Sequence, residues 1–476
     1  MSEKQSEGKN MVKKNLLKKK MIGLLAVMMA ASVLSGCNNS GGNIGGNNGG
    51  GETLYQIDPQ LYNQPSAVFE GVGETTNLTE GRTGGIYAYE DESAPTEEEI
   101  DALSRAGFDL LYGVIWNSEE NANVLVSPAS IDFALGMTEN GAAGNTLAEM
   151  EKVVNGGISA DRLNPIMKHM SGRFQNTSEV SWNIANSLWL KNDGHVHMQD
   201  DFLDRCVGFY DAEVYLAPFS DQTVADINAW TDKNTNGMIP RILEGIDPQS
   251  RLYLINAIAF EGEWAEQYEE SQVWEDRDFL NSDGTTSKVN YLASTENRYF
   301  ELAGGRGFIK PYKGNEYSFV GILPEEGVSC EEYVHEIWNN NLDFAKAVRE
   351  AEDTEVRVRI PEFKADFAKE LSGVYKYLGM NEAFSQADAN FEKMMAWENG
   401  AAAEAYIGKI IHKTFIEVDR KGTKAAAATA VDMRLKNAVV AVDEVIIINL
   451  NRPFVYAIVD NETGFPVFVG CQNMME

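Results

Sequence analysis

The side chains with obvious chemistry in this chain are five histidines (His169, His195, His197, His335 and His412), four cysteines and many carboxylates. Their spacing supports little of that chemistry. His195-Val196-His197 can put two imidazoles on one side of a strand, but no HExxH, CxxC or acidic partner stands at ligand spacing. No GxSxG elbow supplies a nucleophile, and no Walker or dinucleotide fingerprint supplies a phosphate cradle. The sequence therefore predicts no metal, no cofactor and no enzymatic role.

The most informative stretch does no bond chemistry of its own. From Gly422 to Met433 the uncharged residues Thr423, Ala425, Ala427, Thr429, Val431 and Met433 share one parity, and Lys424 and Asp432 take the other. Period two fits a strand with one face buried. Four consecutive alanines alone favour helix. The flanks decide otherwise: a β-rich run (414–418) precedes the stretch and another (445–450) follows it. A segment built to fit a sheet, but not to hold one alone, reads as a loop that can become a strand.

Other elements must position that loop. Thr96 with Glu99 forms a capping-box pattern opening a helix to Leu111, and Ser127-Pro128 starts another. Further helices are expected at 200–209, 223–235, 330–339 and 368–378. Strands are expected at 184–190, 252–260, 318–323, 355–360, 415–418, 445–450, 454–459 and 466–471, with Asn461-Glu462-Thr463-Gly464 as the last turn. No βαβ rhythm and no long-period repeat appears, so the class is α+β with largely antiparallel sheets.

The first 37 residues read as an export signal. Five lysines between Lys13 and Lys20 precede an apolar run, Met21–Val33, that is short for a membrane span. Leu34-Ser35-Gly36-Cys37 resembles the lipobox of bacterial lipoproteins, which implies a lipidated Cys37 and a lipid-anchored chain outside the cytoplasm. Asn38–Gly51 is a Gly/Asn tether, and residues 52–95 are expected as a poorly ordered stalk. The domains are then 1–37, 38–95 and 96–476. Seven lysines and two glutamates fall in the signal, leaving 33 basic and 70 acidic residues. That surface repels nucleic acid and anionic lipid. Cys206, Cys330 and Cys471 allow one disulfide at most.

Several motifs together resemble the serpin family, over residues 96 to 473. They are Asn123–Ile131 with Ala134-Leu135-Gly136-Met137 and Gly141–Thr146; Asn228-Ala229-Trp230 with Thr235–Ile239; Asn256–Trp264; Pro311–Gly314 with Leu323-Pro324; Ile411-His412-Lys413; and Asn451–Phe454. The resemblance implies one domain of about nine helices and three sheets, with an exposed reactive-centre loop. It implies a monomeric suicide inhibitor, with a non-inhibitory binding or carrier serpin and a simple protease substrate as the alternatives: a serine protease cleaves the loop, and the loop's N-terminal half inserts as a central strand and traps the acyl-enzyme. A cysteine protease also forms an acyl-enzyme and falls within that target class.

By the resemblance, the hinge is Gly422, Thr423, Ala425, Ala426, Ala427, Ala428 and Thr429. Counting the family's usual loop length from Gly422 puts the reactive bond at Lys436-Asn437, which suits a trypsin-like protease. Arg434-Leu435 is the second candidate, and Val440 or Ala441 follows if the count slips. Ser127, Ser130, Asn256 and His412 are expected to form a hydrogen-bonded cluster beneath the sheet, with Trp264 at the top where insertion begins. One residue departs from the family: Arg420 stands where Glu is usual, which puts the expected ion pair in question, with Asp419 as a partial substitute.

Overall fold

The structure is a computed structural model that describes residues 71–89, 93–177, 179–248, 250–397, 405–423 and 445–475. The first of these are already folded: β1 (Thr76–Asn77) pairs with a strand far along the chain, and a 3-10 turn (Gly85–Tyr89) follows. The capping box is present. Thr96 Oγ1 accepts from Glu99 N at 3.3 Å and Glu99 Oε2 from Thr96 N at 2.8 Å, and α1 (Glu97–Trp116) continues past the expected end. After β2 (Val124–Val126), Ser127 caps α2 (Pro128–Glu139), every residue of which is buried. Then come α3 (Gly144–Val153), α4 (Ala160–Gln175), β3 (Val180–Lys191), β4 (Val196–Met198), α5 (Asp200–Tyr210), β5 (Glu213–Ala217), α6 (Asp221–Asn234) and β6 (Leu252–Glu263).

A meander follows: β7 (Val273–Leu280), β8 (Thr286–Leu302), β9 (Gly305–Pro311) and β10 (Tyr317–Leu323). Next are α7 (Cys330–Asn339), α8 (Phe344–Arg349), β11 (Glu352–Pro361), β12 (Phe363–Glu370) and α9 (Ser372–Leu378). The chain ends through β13 (Met395–Trp397), β14 (Ile407–Val418), β15 (Gly422–Thr423), β16 (Ile446–Asn449), β17 (Phe454–Asp460) and β18 (Pro466–Gln472).

The described strands form three sheets. One has seven strands in the order β1-β5-β3-β6-β15-β14-β12, one has nine, and β13 pairs with β4. Most pairs are antiparallel; β3–β5, β6–β14 and β11–β16 are parallel. α2 lies under the seven-stranded sheet and touches β18 on its other side. The nine helices among the described residues and these mainly antiparallel sheets give the expected α+β class.

Two expectations need correction. The helix expected at 368–378 begins only at Ser372, because Phe363–Glu370 pairs along β14 as an edge strand with Phe363 and Ala365 buried. The stalk expected over 52–95 does not hold for residues 71–89. Thr76 and Asn77 sit opposite Leu216 and Tyr215, Thr79 Oγ1 accepts from Val214 N at 3.2 Å, and Tyr87 is buried with its ring 5.3 Å from Phe209. Arg82 adds ion pairs to Asp200 and Asp204. An open sheet edge is thereby covered. Cys206, Cys330 and Cys471 are buried free thiols, so no disulfide joins them.

Candidate functional site

The seam between β6 and β14 is where the predicted site residues meet. The two strands run parallel and pair directly from Leu252–Ile407 to Ala259–Phe415. Beyond that point they part, and β15 enters between them: Gly422 pairs with Glu263, and Thr423 with Gly262 and Val418. The seam thus holds the two residues of β15 at its top. Thr423 is fully buried, and its Oγ1 lies 2.6 Å from Tyr312 Oη.

Gly422 is needed there for closeness. A Cβ on it would stand 2.0 Å from Gly262 O, which no side chain tolerates. Backbone freedom, the other common reason for a glycine at a hinge, does not apply. Gly422 is absent from the positive-φ glycines, so close approach is the physical reason.

Trp264 closes the top of the seam. Its Nε1–H donates to Asp419 O at 2.9 Å and its backbone N–H to Lys421 O at 2.9 Å. Its ring stacks on Tyr312 at 4.7 Å. Beneath it lies an ion pair that sequence reasoning missed. Lys310 Nζ is 3.0 Å from Glu296 Oε1, with both side chains buried, and sits 4.6 Å from the Tyr268 ring centroid and 5.3 Å from that of Trp264. Ser294 Oγ donates to the same Glu296 oxygen at 2.6 Å. A buried pair with such partners fixes geometry more surely than it adds stability.

Arg420 resolves the question raised by its charge. Its guanidinium lies 2.9 Å from Glu270 Oε2 and 3.7 Å from Glu362 Oε1. An ion pair is present at this edge, with the basic partner on the hinge side. Asp419 does not substitute for it. Its Oδ1 accepts from Lys421 N at 2.7 Å and Gly422 N at 3.0 Å, which shapes the turn into β15.

Below the opening, the four expected polar residues come together. Ser127 N–H donates to His412 Nε2 at 3.1 Å, so Nδ1 carries the ring proton and donates to Asn256 Oδ1 at 2.9 Å. That oxygen also accepts from Ser130 Oγ at 2.6 Å, and Ser127 Oγ donates to Val467 O at 2.7 Å. Asn256 Nδ2 donates to Ser130 O and to Asn186 Oδ1, both at 2.6 Å. Burial without a carboxylate partner pushes the imidazole down to about 3, so it is neutral.

Asn186, Asn256 and His412 occupy one row across β3, β6 and β14. Sequence reasoning missed Asn186; its signal was a polar residue inside the apolar run Ile184–Leu190. The His412–Asn256 bond crosses the seam itself, so any strand entering from the top must break it.

Elsewhere, His195 and His197 are exposed, and no His/Cys/Asp/Glu trio among the described residues is placed to hold a metal. Ala425–Thr429, Arg434, Leu435, Lys436, Asn437, Val440, Ala441 and Cys37 lie outside the described residues.

A family model, Serpin (serine protease inhibitor), matches residues 101–474, and the chain belongs to the serpin family. It is 36% identical to tengpin, a thermophilic serpin whose native-state structure superposes with a TM-score of 0.75, covering 85% of this chain and 100% of that one. It is 29% identical to an uncharacterised serpin-like protein of Thermococcus kodakarensis, over 78% of this chain and 84% of that protein. Serpin B6 of Pongo abelii is 28% identical over 71% of this chain and 91% of its own length.

Proposed function

We propose that this serpin is a suicide-substrate inhibitor of trypsin-like serine proteases, cleaved at Lys436-Asn437. In this reading Cys37 carries a lipid anchor that holds the chain outside the cytoplasm, and no cofactor takes part. The protease attacks the loop and forms an acyl-enzyme. The loop's N-terminal half then extends β15 down the seam and drags the protease with it. Strand insertion of this kind releases strain stored in the uncleaved fold.

One observation carries the reading: the match between the loop and the seam it would enter. β15 is antiparallel to β6, with Thr423 opposite Gly262. In the same register Ala425 reaches Phe260, Ala427 reaches Ile258 and Thr429 reaches Asn256. Phe260 and Ile258 fill the buried side, so only small partners fit beside them. At Asn256, where the seam bond to His412 must open, the loop brings a hydroxyl. Val431 and Met433 then meet Leu254 and Leu252. No proline interrupts residues 422–436, so every backbone donor is available to the new strand.

The test is incubation of the full chain with trypsin at equal molarity, followed by a denaturing gel and mass spectrometry. The expected result is a stable complex of summed mass and a released peptide beginning at Asn437. Clean cleavage after Lys436 with active trypsin recovered would leave the bait in place and remove the trap for that enzyme.

A further inference from the structure

The sheet face beside the end of the loop has an unusual composition for so acidic a chain. Val445 is the first described residue after the loop and is 40% exposed; Ile447, on the same face of β16, is 45% exposed. Across the sheet Ile447 pairs with Arg357 and Asn449 with Arg359. Next in that face come Thr295 and Ala293 of β8, and then Trp274 of β7 opposite Tyr291.

Trp274 is 38% exposed, although its ring carries the Arg359 guanidinium 3.8 Å from its centroid. A bulge with Asp276 at φ 55° sets its position, and such bulges re-aim side chains at sheet edges. A cleft of about 320 Å³ opens between Trp274, Arg277, Arg359, Asn449 and Asn451. Arg277, Arg357 and Arg359 form no ion pair among the described residues, in a chain of net charge −32. Asp278 is engaged by Lys288 at 2.7 Å. The exposed acids nearby among the described residues include Glu275, Asp276, Glu355 and Glu270, the last paired with Arg420.

We propose that this face is a second docking surface for the target protease, taking an acidic and apolar rim beside the protease's substrate cleft. The proposal rests on the reading of the loop as bait. Its position argues for that occupant, because β16 begins ten residues after Lys436 in the sequence, so a protease bound at that bond is tethered within about 35 Å of this face. Its charge argues for an acidic partner, since most of the remaining surface repels one. Exposed tryptophan flanked by arginine is the composition of interface hot spots.

The test uses the full chain with two trypsins of the same primary specificity, one anionic and one cationic. Loss of intact chain on denaturing gels gives the second-order rate of loop cleavage at low and at high salt. The anionic enzyme is expected to cut about tenfold faster at low salt, with the advantage lost at high salt. The Arg277→Ser, Arg357→Ser, Arg359→Ser triple variant should lack that advantage, and Trp274→Ala should slow both enzymes by about fivefold. Wild-type rates in both variants would overturn the docking surface. Whether the cut chain stays bound to protease is read from the same gels and reports on trapping alone. Rates that depend on the arginines without trapping would keep this surface and remove the inhibitor. Cleavage by neither trypsin would remove both.

Discussion

His412 is the residue on which the seam turns. It joins β14 to Asn256 of β6 and to the capping serine of α2. Its folded pKa, about 3, lies below the 6.5 of an unfolded histidine. The unfolded chain therefore takes up a proton below pH 6.5 that the folded chain refuses until near pH 3. The stability this burial allows is complete above pH 6.5 and is lost as pH falls towards 3, with a slope of up to about 1.4 kcal/mol per pH unit. Glu139 runs the other way: burial raises its carboxyl to about 8, so its contribution is present below pH 4.5 and lost as pH rises towards 8. Comparing wild type with His412→Gln isolates the imidazole. Denaturation midpoints of the variant should fall less steeply between pH 6.5 and 4, and parallel curves would show that His412 is not buried neutral. Thr423→Arg tests the other end of the seam. It removes the bond to Tyr312 and buries an unpaired charge, at a cost of several kcal/mol. Cleavage by trypsin should persist and the covalent complex should disappear.

At the scale of elements, the N-terminal cover is the addition that the sequence hid. Tyr87→Ala removes a buried ring from between α5 and the 3-10 turn, and about 3 kcal/mol of stability should go with it. An unchanged thermal midpoint would mean that this segment does not hold its edge in solution. Segments with their own local signal were legible. Thr96 and Glu99 announced α1, and Ser127-Pro128 announced α2. Segments whose form is set by neighbours were not. Phe363–Glu370 joins an edge to β14, and its pattern reads equally as the start of the following helix. Thr286–Leu302 serves β7, β11 and β9 in turn, so its burial follows no single period and no strand was expected there. The cluster residues were legible through family motifs. Asn186, Lys310 and Glu296 were not, because a polar residue in an apolar run announces burial without naming its partner.

For the whole molecule, the proposed function requires a fold that stops short of its best-paired state. β6 and β14 pair directly along their lower part, are bridged there by the His412–Asn256 bond and are capped by Trp264, with the two residues of β15 between them at the top. The loop that would complete the strand is small, neutral and free of proline on the inserting side. In the proposed reading, such a chain is kinetically trapped until the loop is cut. The direct measurement is the thermal midpoint of the chain before and after cleavage at Lys436, with the fragments kept together. The account predicts that the cut chain melts higher, by about 10 °C or more, because the freed segment becomes a central strand. Equal midpoints for the cut and intact chains would mean that the segment does not insert, and would contradict the account.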